Sequence, residues 1–172
     1  LEDRVSYLQG SMSTLKMSSY VATCINNQSI STAAYQNVGL DGAMDTNVNT
    51  FGTTPTASTS TDRILLPAGK YFIQARLAIY RSSSSTWGGQ WYIFKRSGAS
   101  NVQVGYEGRR YGIVYIGDPQ KTSSARAYVE SDGTTEIGVE AQAINATITL
   151  NSTATYGAQY SGKSRILIWR VL

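Results

Sequence analysis

The stretch from Leu65 to Tyr80 decides the fold, and it reads Leu-Leu-Pro-Ala-Gly-Lys-Tyr-Phe-Ile-Gln-Ala-Arg-Leu-Ala-Ile-Tyr. The Pro-Ala-Gly segment predicts a turn. After it, the residues alternate with the two-residue repeat of a β-strand whose faces differ. One face carries Tyr71, Ile73, Ala75, Leu77 and Ile79, and the other carries Phe72, Gln74, Arg76, Ala78 and Tyr80. The first face is apolar and predicts a buried side, whereas Phe72 and Tyr80 need a second burial surface or exposure.

Segments with the same repeat recur through the chain, with turn residues between them. We predict further strands at 30–38, 45–51, 90–96, 102–106, 111–116, 125–130, 136–143, 146–150 and 165–172, and a connector or short strand at 20–27. Turns or loops are predicted at 39–42, 52–61, 82–89, 107–110, 131–133 and 151–163. Roughly eight to ten short strands at regular spacing indicate an all-β sandwich or barrel.

The composition is that of one β-rich domain. The chain has 172 residues, enough for a single domain with a core, and only 15% of them are charged. No stretch is apolar enough to span a membrane, so we predict no membrane insertion. The net charge is +4, but the basic residues are spread without a dense run. This argues weakly for an anionic partner and against nucleic acid.

The sequence lacks the histidine on which the common forms of nucleophilic catalysis depend. The chain contains no histidine, which excludes Ser–His and Cys–His catalysis and histidine metal sites. Its single cysteine, Cys24, excludes an intramolecular disulfide and is predicted to be a buried free thiol.

The carboxylates form no recognised catalytic or metal-binding pattern. A glycosidase needs two of them close together, and the acids nearest in sequence are Glu130, Asp132, Glu136 and Glu140. A calcium site needs several oxygen ligands. The acids that could contribute to a calcium site are Asp41, Asp45 and Asp118, but they form no known calcium-binding loop. We predict no enzyme activity, no metal and no cofactor.

The N-terminal residues carry apolar side chains at heptad spacing. Those side chains are Leu1, Val5, Leu8, Met12 and Leu15. About two heptads do not hold a helix alone in water, so we predict the end of a coiled coil that stops near Ser18. The alternative is a short amphipathic helix lying on the domain. Because the chain opens on Leu1 instead of Met, we expect the rest of a longer protein upstream.

Two short motifs resemble a known family of jelly-roll domains. Residues 45–50 read Asp-Thr-Asn-Val-Asn-Thr, and after a loop residues 66–71 read Leu-Pro-Ala-Gly-Lys-Tyr. In this order they resemble the heads of the tumour-necrosis-factor and complement globular-head type, and more closely the versions at bacteriophage fibre tips. The resemblance covers 35–172 in layout. It implies an antiparallel two-sheet jelly roll, with the last strand central beside the N-terminal strand, and a homotrimer.

The resemblance also implies a function. It predicts a coiled-coil stalk end at 1–19, a head domain at 20–172, and the remainder of a fibre protein upstream. Such a head, on a tail fibre, head fibre or other spike, attaches the virion surface to a host glycan or protein through multivalent non-covalent contacts. The alternatives are a purely structural trimerisation or capsid-decorating fibre tip, and an extracellular cellular protein of the complement-head type.

Aromatic and basic residues in or beside predicted loops are the candidate binding residues. Aromatic faces with polar neighbours suit sugars and protein surfaces, and arginine suits acidic groups. The candidates are Trp87, Tyr106, Arg109, Arg110, Tyr111, Tyr156, Tyr160 and Lys163. The alternative is that the tyrosines pack between subunits. For the trimer interface the candidates are Leu1, Val5, Leu8, Met12, Leu15, Phe72 and Tyr80.

Overall fold

The computed structural model describes residues 19–24, 28–47, 54–80, 87–112, 124–150 and 164–171, which form fourteen β-strands. The strands are β1 (Ser19–Cys24), β2 (Ser29–Ile30), β3 (Gln36–Asn37), β4 (Leu40–Asn47), β5 (Thr56–Ser58), β6 (Arg63–Leu66), β7 (Gly69–Arg76), β8 (Ile79–Tyr80), β9 (Trp87–Ser97), β10 (Ser100–Gly112), β11 (Ala125–Ser131), β12 (Thr135–Ile144), β13 (Ile148–Leu150) and β14 (Arg165–Val171). None of these residues belongs to a helix with the length and hydrophobicity of a membrane span.

The strands form two layers, which we call the front and back sheets. The front sheet has the order β4-β1-β14-β7-β11, and the back sheet has the order β10-β9-β12-β6-β5, with β3 also paired to β12. Strand β10 joins the layers, because it pairs with β9 along its length and with β11 through Tyr106 and Arg126. A small third sheet has the order β2-β13-β8. The last strand is central beside β1, as the resemblance implied.

The core lies between the two sheets. Strand β7 buries every second residue, with the pattern expected from its sequence, and β11 and β14 do the same over most of their length. From the back sheet, Trp91 reaches across the core and its indole Nε1 donates to the Ala75 carbonyl at 3.2 Å. The alternation therefore builds a sandwich whose inner faces are apolar.

Strand β10 changes sheets at a bulge around Gly105. The registers of β10 with β9 shift between Val104 and Gly108. Gly105 has a φ of 72°, and a Cβ there would run into the carbonyl oxygen of Arg126. Glycine is required because no other residue tolerates both this backbone angle and this close approach.

The outer face of the back sheet is covered by the chain's own segments. Phe94 is fully buried there and lies over Gly138, because a Cβ atom at position 138 would run into the Phe94 ring. Tyr35 packs against Tyr92 with the two rings tilted and their centroids 4.7 Å apart. The Gln28 side chain ties the same segment together, donating to the Asn37 carbonyl at 2.7 Å and accepting from the Gly39 amide at 2.8 Å.

The strand predicted over 70–80 is interrupted. It ends at Arg76, and β8 begins at Ile79 in a different sheet. The Ser164 hydroxyl accepts from the Ala78 amide at 2.9 Å and lies 3.3 Å from the carbonyl oxygen of the same residue. A side chain thus satisfies the backbone where the ladder breaks. Leu77 and Ile79 are nevertheless buried, so the predicted alternation of buried residues continues through the break.

Several predicted boundaries are wrong. The predicted strand at 30–38 is two short strands with a bend between them, and the turn predicted at 39–42 is the start of β4. A strand, β5, lies inside the loop predicted at 52–61. The predicted split at 107–110 is absent, because the bulge lets β10 run on to Gly112.

Candidate functional site: the outer face of the front sheet

Unlike the back sheet, the front sheet leaves aromatic side chains exposed on its outer face. Trp169 lies opposite Phe72, and Phe72 lies opposite Tyr128, so the three form one row across β14, β7 and β11. The ring centroid of Phe72 is 5.6 Å from that of Trp169 and 6.5 Å from that of Tyr128. Tyr128 is 61% exposed. We call these three residues the aromatic patch.

A row of mixed polarity follows beside the aromatic patch. It runs from Leu167 through Gln74 and Arg126 to Tyr106, each opposite the next across neighbouring strands. Tyr106 is 83% exposed because it projects from the bulge that begins at Gly105. The row beyond contains Arg76 directly opposite Arg165, and both are exposed. The face therefore changes from aromatic to basic along the strands.

The strands also define two ends of the sandwich. At the top end, β7 and β10 finish while β11 and β14 begin. The strand ends that flank residues 81–86, 113–123 and 151–163 all lie there, since Trp87 pairs with Gly112 and Leu150 pairs with Ile79. At the bottom end, β1 starts with Ser19 opposite Trp169 near the finish of β14. The chain thus enters β1 at the end opposite to these three segments.

The predicted binding residues divide into two groups. Tyr106 is a described, exposed side chain of β10. Trp87, predicted in a loop, begins β9. Arg109 and Arg110, predicted in a loop, belong to β10, and Tyr111, predicted to begin a strand beside that loop, belongs to β10 as well. The orientation of these four side chains is not described. The remaining candidates, Tyr156, Tyr160 and Lys163, lie outside the described residues.

The predicted interface residues divide in the same way. Phe72 faces outward from the front sheet, as its place in the alternation predicts. Tyr80 lies in β8, beyond the break, and its side chain is not described. The heptad residues Leu1 to Leu15 lie outside the described residues.

Sequence reasoning missed two residues of the aromatic patch, Tyr128 and Trp169. Both occupy outward positions of strands that were predicted correctly, opposite the buried sets of β11 and β14. A comparison of outward aromatic residues among strands would have found them. Their meeting in one row depends on strand order and register, which the local pattern does not contain.

The carboxylates of β12 are engaged in structural contacts. Glu136 forms a salt bridge with Arg63 at 3.2 Å. Glu140 accepts from the Tyr92 hydroxyl and from the Asn101 amide, the latter at 2.6 Å. Burial and the Glu140 contact both raise the pKa of Tyr92 above its usual value. These contacts fasten neighbouring strands.

Cys24 is fully buried and free, as predicted. Burial, with a smaller contribution from Asp41, raises the pKa of the Cys24 thiol to about 12. The thiol therefore stays protonated and unreactive near neutral pH.

Solved structures that share this architecture include murine APRIL and Eiger TNF. Murine APRIL, in its crystal structure at pH 8.0, is 13% identical with a TM-score of 0.54, over 91% of this chain and 100% of that one. Eiger TNF from S. frugiperda is 14% identical with a TM-score of 0.52, over 91% of this chain and 93% of that one. No protein-family model and no curated protein matches the chain.

The class of protein that these observations define is an all-β sandwich with the tumour-necrosis-factor-like jelly-roll fold. This confirms the fold implied by the sequence resemblance. At such low identity the likeness concerns the fold alone, and function has to be argued from the site.

Proposed function

We propose that this chain is the homotrimeric, non-catalytic head of a virion fibre or spike, attaching the particle to a glycan or protein on the host surface. The observation that carries the proposal is the polarity of the sandwich. The chain enters β1 at the bottom end, and the strand ends flanking residues 81–86, 113–123 and 151–163 lie at the top.

This polarity matches the needs of an attachment head. In this proposal the stalk predicted at 1–19 leads into β1 at the bottom of the sandwich, so the top faces away from the particle. Trp87 and Arg109 to Tyr111 belong to the strand ends at the top, and Tyr156, Tyr160 and Lys163 belong to a segment flanked by them. Binding residues are commonly supplied by the connections at one end of a rigid scaffold.

The aromatic patch supports self-association. Phe72, Tyr128 and Trp169 form a contiguous row on neighbouring strands in which Tyr128 is exposed and the other two are half-buried, and such a patch is typical of an interface. A cyclic assembly uses the same patch in every copy, so one row per copy serves the whole ring. The number of copies, three, comes from the resemblance to trimeric heads.

Native mass spectrometry tests the trimer. Wild-type protein is expected at about three times the chain mass of 18.7 kDa. Tyr128→Asp inserts a charge into the aromatic patch and is expected to give monomer. Val102→Asp is the matched control, because Val102 is 49% exposed and lies in β10, outside the patch. A monomeric wild type at micromolar concentration contradicts the proposal.

Cell staining tests attachment. Tagged wild-type protein is expected to stain host bacteria saturably, and Trp87→Ala and the double variant Tyr156→Ala/Tyr160→Ala to stain less while melting like wild type. Val102→Ala serves as the control. A stable trimer that stains no host cell favours the purely structural fibre tip, and normal staining by both variants places the binding surface elsewhere.

A further inference from the structure

The basic half of the front sheet has an electrostatic arrangement that needs an explanation. Arg76 and Arg165 lie directly opposite each other on neighbouring central strands. Their Cβ atoms are therefore about 4.5–5.5 Å apart, and Arg126, on the diagonal from Arg76, is about 7–8 Å away. All three side chains are exposed on the same face. Like charges in directly opposite positions destabilise a sheet.

No acid within the described residues neutralises these arginines. The salt bridge found there joins Arg63 and Glu136 on the other sheet, and none of the three arginines contacts a carboxylate. By register, the nearest acids are Glu107, which follows Tyr106 in β10, and Asp41, two strands from Arg165 beside the register shift between Ala22 and Cys24. Glu130 lies four residues along β11 from Arg126, opposite Lys70.

The neighbouring side chains suit a sugar. Gln74 lies opposite Arg126 and offers an amide to hydroxyl groups. Tyr106, on the other side of Arg126, presents an aromatic ring that is 83% exposed, against which the apolar face of a sugar ring can stack. From Tyr106 to Arg165 the site crosses four adjacent strands, which is about 14 Å at the usual strand spacing. We call Arg76, Arg126, Arg165, Gln74 and Tyr106 the basic patch.

We propose that the basic patch binds an acidic polysaccharide, with the arginine side chains pairing with its sulfate or carboxylate groups. Guanidinium groups form paired hydrogen bonds to such anions, and a bound anion relieves the repulsion between Arg76 and Arg165. A polymer with repeated acid groups engages the same patch in more than one copy of the chain.

This inference names the ligand class of the proposed attachment head and rests on that function. It also divides the front sheet between two roles. The aromatic patch lies towards the bottom end and packs between copies. The basic patch lies towards the top end, near the strand ends that flank the candidate attachment segments. Bringing the arginines of three copies together without an anion is unfavourable, so the basic half stays open to ligand.

The test measures binding of the full chain to immobilised dextran sulfate, alginate and neutral dextran at fixed ionic strength. Wild type is expected to bind the first two and not the third. Arg76→Gln/Arg165→Gln is expected to bind the acidic polymers about tenfold more weakly, equivalent to about 1.4 kcal/mol. Its melting temperature is expected to equal or slightly exceed that of wild type, because the repulsion between the two arginines is removed.

The matched control is Lys70→Gln/Lys95→Gln, which removes the same net charge from residues near the bottom end. It is expected to bind like wild type. Equal weakening by both double variants overturns the site, since net charge alone then explains binding. Polyglutamate bound as tightly as the polysaccharides overturns the glycan assignment. If Tyr106→Ala alone weakens polysaccharide binding and leaves polyglutamate binding unchanged, the sugar-stacking role is supported.

The two proposals fail in distinguishable ways. A trimer that stains host cells equally well with and without Arg76 and Arg165 keeps the attachment function and overturns the basic patch. A chain that is monomeric and stains no cells overturns the attachment head, and the polysaccharide site has then lost its premise.

Discussion

At the scale of single residues, Leu77 shows how strongly the core depends on complete burial. It is fully buried although it lies just after β7, in the break before β8. Leu77→Ala is expected to lower the free energy of unfolding by about 2–5 kcal/mol. Leu65→Ala is the control, because Leu65 is 41% exposed and its loss should matter little. Urea denaturation measures both, and equal midpoints for the two variants would contradict the assigned core.

A second prediction at this scale concerns the Cys24 thiol. Its thiol pKa is raised from an ordinary 9.0 to about 12 by burial. A neutral thiol therefore contributes stability that is fully present below about pH 9 and is lost as the pH rises towards 12. At neutral pH a thiol-specific reagent should react with Cys24 only after denaturant is added. Rapid labelling of the native protein would show that the thiol is accessible.

At the scale of one element, β10 depends on its glycine bulge. Gly105→Ala is expected to destabilise the protein strongly, because the new methyl group runs into the Arg126 carbonyl and the backbone angle is unfavourable. Gly98→Ala is a close control: it also has a positive φ, 56°, but its Cβ would have nothing within 4 Å. Gly98→Ala should lower the free energy of unfolding by about 1 kcal/mol. Thermal melting compares the two variants. Equal losses of stability would contradict the claim that the bulge requires glycine for steric reasons.

At the scale of the whole molecule, the proposed trimer has two contributors of unequal size. The aromatic patch lies on a rigid sheet, whereas the heptad residues span only about two heptads, too few to associate alone. Removing residues 1–16 is therefore expected to weaken the trimer without abolishing it. Light scattering over a dilution series measures this. Complete dissociation of the truncated chain at every concentration would show that the stalk holds the trimer together.

The sequence by itself determined the class of fold and the inner faces of its main strands. Alternation in β7, β11, β12 and β14 identifies the buried sets because side chains on a strand point to opposite faces in turn. The absence of histidine and the single cysteine likewise limit the chemistry at the level of composition.

Only the tertiary structure decided which outward residues meet. Trp169, Phe72 and Tyr128 share a row, and Arg76 faces Arg165, because β14 and β11 pair on either side of β7 in a particular register. The break after Arg76 depends on Ser164, which is distant in sequence, and the continuity of β10 depends on Gly105 fitting against β11. These contacts join residues far apart in the chain, so no local pattern of side chains encodes them.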